Sequence, residues 1–529
     1  MTDQSIYRRF LQSAQTHAAR IAIRSAVPGG APDVTYAQLA QASRELGRAL
    51  LASGIERGDR IAIWGVNSAP WAMAALGIQA AGATLVPIGT RLRGREAEGI
   101  LNDAGARIVF CDAQFGSFNY VAALLERDIP SLETIVALDG EGGSEGKVIS
   151  LAALRARAEK VSEDQLDQRI AQAAGDDIVD IIFTSGTTGK PKGVPMTSAQ
   201  SLIACEVQRN EIAFLTADDV FAVTYPFAHN AGYRAGWQVS VLYGVRILPI
   251  STFDPGDLLR LIEREGVTFL PTAPPVAQGI VDHPERPNTN LSTVRIVATG
   301  GTTIPVRQVE DLRRAFGPGT VVQTGYGLTE TAGSVTYTPM DASAEVVAKT
   351  VGKALSTLDV KIVGPDHAEL PVGQVGEIAV RGPQVLKGYY NNPEATAAAF
   401  TADGFFLTGD AGWVDAEGNY SITDRIKDMY LVGGFNCYPA EIEGMMQGIP
   451  GLARVAVIGV DDERLGQVGR AYVVKAPGAD LTEDAVIAWC RKEMANYKVP
   501  RTVKFVDTLP LNAMGKVAKL ELRALDTAA

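Results

Sequence analysis

Apolar residues along this chain recur in two rhythms. Short β-branched runs at Arg60–Trp64, Arg107–Cys111, Ile178–Phe183, Val220–Tyr225, Val267–Pro271 and Val294–Ala298 read as strands. Helix-period stretches such as Ala37–Ala52 and Pro255–Glu265 lie between several of them. That alternation predicts an α/β architecture with largely parallel sheets. From Val351 to Thr423 the rhythm changes to short strands broken by Gly, Asp and Asn turns (GPDHAELPVGQVGE, DAEGN), which predicts an antiparallel β subdomain. A smaller unit begins near Arg425, where strand Ala453–Val460, helix Glu483–Glu493 and strand Thr502–Val506 predict a compact α+β lobe. The expected organisation is a large N-terminal domain over residues 1–424, made of layered α/β subdomains plus a β subdomain, and a small mobile C-terminal domain over residues 425–529.

Composition narrows the class of partner. With 529 residues, 46% hydrophobic and 21% charged, the chain is too long for one ordinary domain and reads as globular. A formal charge of −11 disfavours nucleic acid or an anionic membrane as the main partner. Cys111, Cys205, Cys437 and Cys490 are scattered and show no CxxC spacing, so reduced thiols in a cytoplasmic protein are expected. The opening MTDQSIYRRFLQ has no apolar signal core. The longest uncharged stretch, Asn67–Thr90, contains Pro70, Gly77, Gln79, Gly82 and Pro87, which fits a buried helix and strand and not a membrane span.

Chemistry concentrates at Ile181–Val194, IIFTSGTTGKPKGV. An apolar strand feeds a turn of Ser, Thr, Gly and Lys. Backbone N–H groups, hydroxyls and ammonium groups converging on one place suit a polyphosphate. The spacing is not that of a P-loop. Four further segments follow: Thr324–Glu330 (TGYGLTE), Phe406–Asp410 (FLTGD), Asp424–Glu443 (DRIKDMYLVGGFNCYPAEIE) and Leu509–Arg523 (LPLNAMGKVAKLELR). In this order the five motifs resemble those of the AMP-forming adenylating enzymes, and the resemblance covers essentially the whole chain.

The resemblance implies two half-reactions. A carboxylic acid and ATP give acyl-AMP and pyrophosphate; coenzyme A then takes the acyl group and releases AMP. Thr184, Ser185, Gly186, Thr187, Thr188 and Lys192 match the family's phosphate loop. Gly300, Gly301 and Thr302 match one adenine wall, and Thr324, Gly325, Tyr326 and Gly327 match the other, with Tyr326 stacking on the base. The flanking glycines would let the backbone come close to the nucleotide. Thr329 would touch the α-phosphate. Glu330 would hold Mg²⁺, since a carboxylate beside a triphosphate needs an intervening cation. Asp410, assisted by Arg425, would accept the ribose hydroxyls. Lys516 would contact the carboxylate and α-phosphate during adenylation, as suits a mobile ammonium. Met514 stands where the family usually has a small residue. Lys427 would be the hinge of the small domain, although by itself it reads equally as a charged linker. Gly433 and Gly434 match the loop that lines the pantetheine tunnel; by themselves they read as a turn.

Phe227–Trp237 (FAHNAGYRAGW) matches the segment that borders the acyl pocket. His229 matches a family histidine near the phosphates. Phe227, Ala228, Asn230, Ala231, Gly232 and Ala235 are the candidate pocket residues, and their small members leave room for a fatty, bulky or cyclic acid. No Asp pairs a substrate ammonium in this segment, and the stretch after Lys516 is too short for a carrier-protein domain. Both features weigh against a peptide-synthetase module. HNAGYRAG, STFDP (Ser251–Pro255), DHPER (Asp282–Arg286) and KDMYLVGGFNCYPAEIE resemble the bacterial acyl-CoA ligases of steroid-ring degradation, which activate a propanoate side chain on a fused-ring remnant. Ala228 departs from the Phe common in that group. A free-standing enzyme that loads a carrier protein is the alternative. The expected partners are thus a carboxylic acid, ATP, Mg²⁺ and coenzyme A, without nucleic acid or a membrane span; a homodimer is carried as an expectation.

Overall fold

Two seven-stranded sheets carry the N-terminal part. In the first, Val321–Gln323, Ile296–Thr299, Phe269–Thr272, Val220–Val223, Arg246–Pro249 and Ile21–Ile23 are parallel, and Val34–Thr35 adds an antiparallel edge. In the second, Ile178–Thr184, Thr84–Pro87, Arg60–Trp64, Ile108–Cys111, Thr134–Ala137 and Val148–Ser150 are parallel, and Lys192–Thr197 returns antiparallel beside Ile178–Thr184. The computed structural model describes residues 4–139, 142–184, 191–300, 304–425, 430–437, 439–510, 517, 519, 522 and 523. Its fold is mixed α/β, with a large N-terminal and a small C-terminal domain.

The strands are apolar runs because protein covers both of their faces. One core takes residues from both sheets and from helices Ile6–Thr16, Tyr36–Ala52 and Ala69–Ala80. Ala69–Ala80 is buried all round, which explains its uniformly apolar sequence. It and Thr84–Pro87 account for the expected helix and strand within Asn67–Thr90. Among the described residues, no helix is long and apolar enough to cross a membrane. Tyr36–Ala52 starts at a capping box formed by Thr35 and Gln38. All four cysteines are buried and unbridged.

Antiparallel structure begins earlier than the expected Val351. Gly325–Leu328 pairs with Gly333–Tyr337, which pairs with Lys353–Ala354. A four-stranded sheet follows: Asp359–Val363, Gly376–Arg381, Phe406–Val414 and Tyr420–Arg425. The first hairpin is rich in Gly and Thr and lacks the alternation that marks a strand, so the pattern alone does not reveal it. The backbone of Arg425 closes the last strand, one residue beyond the expected boundary at 424.

The small lobe is built on the long hairpin of Leu452–Asp462 and Gly466–Lys475, flanked by Thr502–Phe505, Tyr430–Val432 and Phe435–Cys437. Helices Pro439–Met446 and Glu483–Glu493 pack on it. Charge marks its seam with the large lobe. Lys498 Nζ lies 2.7 Å from Glu96 Oε1 and 2.7 Å from Glu441 Oε1, and Ala495 N donates to Glu96 Oε2 at 3.1 Å. All three side chains are buried. Burial alone would lower the Lys498 pKa, but Glu96 with Tyr497 and Glu441 holds it well above its usual value. Beside this triad, the Arg91 guanidinium lies 4.1 Å from the Phe435 ring centroid, and that ring stacks on Tyr497 at 4.6 Å.

Candidate active site

A cleft of about 1660 Å³ opens where the carboxyl ends of the parallel strands point. Pro87, Thr184, Thr224, Pro271, Thr299 and Thr324 stand at or just beyond those ends and line it. Open α/β sheets place ligands at this end, where chains leave the sheet and backbone groups are unpaired.

Along one wall, Thr184 and Lys192 face each other as register partners at the mouth of their hairpin. Ser185, Gly186, Thr187 and Thr188, together with Gly301, Thr302, Lys427 and Lys516, lie outside the described residues. Glu330 is half-buried beside Thr329, and its Oε1 is 3.1 Å from the Tyr389 hydroxyl. The Lys192 ammonium sits 4.7 Å from the Tyr389 ring centroid. An ammonium, a phenol and a carboxylate are therefore gathered on one side of the cleft. Thr324, Gly325, Tyr326, Gly327 and Gly300 line the cleft as well. Tyr326 donates from its hydroxyl to Asp410 Oδ2 at 2.6 Å, and Asp410 is buried opposite Arg425 in the strand register.

The hairpin glycines have a reason other than nucleotide approach. A Cβ on Gly325 would come 2.3 Å from the Tyr337 ring, and one on Gly327 would come 2.0 Å from the Gly333 carbonyl. Strand packing by itself excludes a side chain at both.

The acyl-side segment is pinned from below. Asn67 donates from Nδ2 to the Tyr225 carbonyl at 2.9 Å and accepts from Phe227 N at 2.6 Å. Ala228, His229, Asn230, Ala231 and Ala235 line the cleft. Two expected pocket residues do not. Phe227 is buried and packs its ring on Trp71 at 5.4 Å. Gly232 is turned into the protein, where a Cβ would meet the Pro226 carbonyl at 2.1 Å. One-dimensional spacing could not separate these positions, because a loop and a single short helical turn, Asn230–Gly232, carry the segment and impose no regular period on it. His229 lines the cleft as an exposed residue, and desolvation by the surrounding protein draws its pKa below the usual imidazole value.

From the small lobe, Gly433 and Gly434 line the cleft with φ of +54° and +84°. Gly434 approaches Ala273 of the large lobe, whose Cβ would lie 3.8 Å from an added Cβ. Both glycines are conformational necessities here. Val517, next to Lys516 in sequence, packs with Ala456, Ile458, Tyr472, Leu509 and Leu522 in a separate cluster.

Known proteins match this arrangement. The AMP-binding enzyme family matches residues 10–390, and the AMP-binding enzyme C-terminal domain matches residues 441–516. The chain belongs to the AMP-binding enzyme family. It is 41% identical over 502 residues to a 3-[(3aS,4S,7aS)-7a-methyl-1,5-dioxo-octahydro-1H-inden-4-yl]propanoyl:CoA ligase of Rhodococcus jostii, covering 94% of this chain and 95% of that one. A ligase of the same description from Mycobacterium tuberculosis is 42% identical over 493 residues, covering 93% and 94%. Among solved structures, o-succinylbenzoate CoA synthetase from Bacillus subtilis, bound to a product analogue, superposes with a TM-score of 0.80 at 27% identity over 98% of both chains. This AMP-binding enzyme is of the AMP-forming acyl-CoA ligase class, for which ATP, coenzyme A and a carboxylic acid are the substrates.

Several residues of the AMP-binding enzyme's cleft carry no signal in the sequence motifs. Tyr389, in KGYYNNPEA, joins Lys192 to Glu330. Gln208 lines the cleft from a π-helical turn, Gln208–Ile212, that follows helix Ser198–Val207. Arg234 and Asp180 form a buried ion pair beneath Asn230. Each depends on tertiary placement.

Asp410→Ala in this enzyme is expected to weaken ATP binding by about 10-fold, the scale of hydrogen bonds to a charged acceptor. Calorimetric titration with ATP checks this; an unchanged Kd would leave Asp410 as a partner of Tyr326 alone.

Proposed function

We propose that this ligase activates a fused-ring, steroid-derived propanoate. The acid attacks the α-phosphorus of ATP to give acyl-AMP and pyrophosphate, and the thiol of coenzyme A displaces AMP. The near full-length likeness to two ligases of such an acid carries the reading. The cleft supports it. Its volume of about 1660 Å³ exceeds the roughly 300–1,000 Å³ typical of a single-ligand site, as a nucleotide, an acid and a thiol arm together require. Ala228, Ala231 and Ala235 leave the acyl wall open.

Glu330 would hold Mg²⁺. Among the described residues no three His, Cys, Asp or Glu side chains cluster as a metal cage. A single half-buried carboxylate fits Mg²⁺, which takes one or two carboxylates and completes its shell with water and substrate phosphates. The ion would neutralise phosphate charge. Lys192 adds a fixed positive charge beside the carboxylate, and His229 can donate or accept at the reacting end. Residues 425–529 would form a mobile domain that swings about Lys427 against residues 1–424, in a cytoplasmic enzyme that would pair as a homodimer.

Purified enzyme is expected to form a CoA thioester from the methyl-dioxo-octahydroindenyl propanoate, with AMP and pyrophosphate as products. A screen of acids by thioester release, with nucleotide products resolved chromatographically, tests this. ADP and orthophosphate as the only nucleotide products would overturn it. Adenylate without thioester would favour a carrier protein as acyl acceptor.

A further inference from the structure

Asn230 lines the acyl side of the cleft and is held from behind. Its Oδ1 accepts from Arg234 Nη1 at 2.7 Å. Arg234 is only 2% exposed, donates through Nε to Ser201 Oγ at 3.3 Å, and pairs with fully buried Asp180. Withdrawing two charges from water is costly, so such a pair is weak evidence of added stability. What it supplies here is orientation. A guanidinium has donors and no acceptor. The atom of the Asn230 amide that faces it must therefore be the oxygen, and the NH₂ must face the other way.

That NH₂ makes no hydrogen bond among the described residues. It stands against Gly333, where an added Cβ would come within 3.2 Å of Nδ2, and Gly333 also lines the cleft. Gly333 has φ of +126°, so a side chain there is disfavoured and the approach to the amide stays open. Gln208 lines the same cleft and shares a small recess with Ala235, Gly333 and Ser334; its side-chain amide likewise makes no hydrogen bond among the described residues. On this wall two side-chain amides stand among small residues beside His229, one of them with its donor face fixed. Polar groups in an apolar pocket set orientation and choice of ligand.

We propose that Asn230, oriented by the Arg234–Asp180 pair, donates a hydrogen bond to a carbonyl oxygen on the acyl group's ring system, so that the ligase selects oxo-bearing alicyclic acids over their hydrocarbon counterparts. Asn230 is the specificity-determining residue, and Arg234 and Asp180 are positioning residues. Gln208 extends the polar strip toward a second acceptor. The inference rests on the proposed function and deepens it.

The test compares the methyl-dioxo-octahydroindenyl propanoate with its carbonyl-free analogue. Asn230→Asp keeps the shape and the acceptor toward Arg234 but turns the donor face into an acceptor. Asn230→Leu removes the polar group without adding charge. The readout is the ratio of kcat/KM for the oxo acid to that for the analogue. We expect wild type to favour the oxo acid and both variants to lower the ratio by about 10-fold, Asn230→Asp more than Asn230→Leu. A general packing defect would lower both rates and leave the ratio intact, so a ratio equal to wild type in both variants overturns the assignment alone. Failure of wild type to convert either acid overturns the proposed function and this assignment with it.

Discussion

Lys516→Ala is expected to slow adenylation by about 10²-fold or more while leaving thioester formation from preformed acyl-AMP largely intact. Lys516 lies outside the described residues, and the expectation comes from its motif, PLNAMGKVAK. The cleft gives it a physical basis. Bringing a carboxylate to a triphosphate sets like charges against each other, and each nearby cation lowers that barrier. Lys192 is fixed over Tyr389 on the Glu330 side. Small-lobe residues that line the cleft come from Tyr430 through Arg501, and among the described residues after Arg501 there are none. The orientation seen here thus presents the Gly433–Gly434 loop to the cleft. We infer that this is the orientation for the thiol step, with Gly433 and Gly434 bordering the thiol arm. Pyrophosphate exchange and CoA transfer from synthetic acyl-AMP, measured separately, decide the matter. Equal damage to both half-reactions would contradict a step-selective role.

The second large effect belongs to the lobe seam. Lys498→Met removes the cation shared by Glu96 and Glu441 and leaves two buried carboxylates facing each other. Removing one partner of a buried ion pair costs about 3–5 kcal/mol, because the remaining charge keeps its desolvation cost. Here the remaining pair also repels. Thermal unfolding is expected to show a marked loss for the small lobe. Glu96→Gln is the milder probe. It retains an acceptor for Ala495 N and leaves the Lys498–Glu441 bond inside the small lobe, so only the contact across the seam weakens. CoA transfer is expected to fall by about 10-fold while pyrophosphate exchange changes little, as loss of a charge-assisted bond in one orientation requires. If both half-reactions respond alike, the triad is structural and does not select an orientation.

How far the chain's own pattern reaches differs from feature to feature. The parallel strands were legible because each is covered on both faces, so burial imposes a continuous apolar run at Arg60–Trp64 or Ile108–Cys111. Helices Pro255–Glu265 and Glu483–Glu493 were legible because caps are local: Asp254 accepts from Asp257 N, and Thr482 accepts from Ala485 N. Motif residues that are local in the fold are brought together by simple pairings. Thr184 and Lys192 meet through one hairpin, and Asp410 meets Arg425 through one strand pair.

What tertiary structure alone decided lies at long sequence separation. Phe227 and Gly232 belong to the same motif as Ala228 and Ala231, yet the first two are packed into the core and the others line the cleft. Arg234 lies in the same motif, and only the fold brings it to Asp180 in the interior, where it fixes the Asn230 amide. Gly325 and Gly327 read as nucleotide-facing, and the fold adds a second demand for glycine there, since a neighbouring strand fills the space a side chain would need. Glu96 and Lys498 are 402 residues apart and carry ordinary surface-residue types, so no pattern along the chain pairs them. A local signal exists where a residue's neighbours in sequence set its environment. Where the environment is assembled from distant elements, charge, burial and direction are properties of the fold.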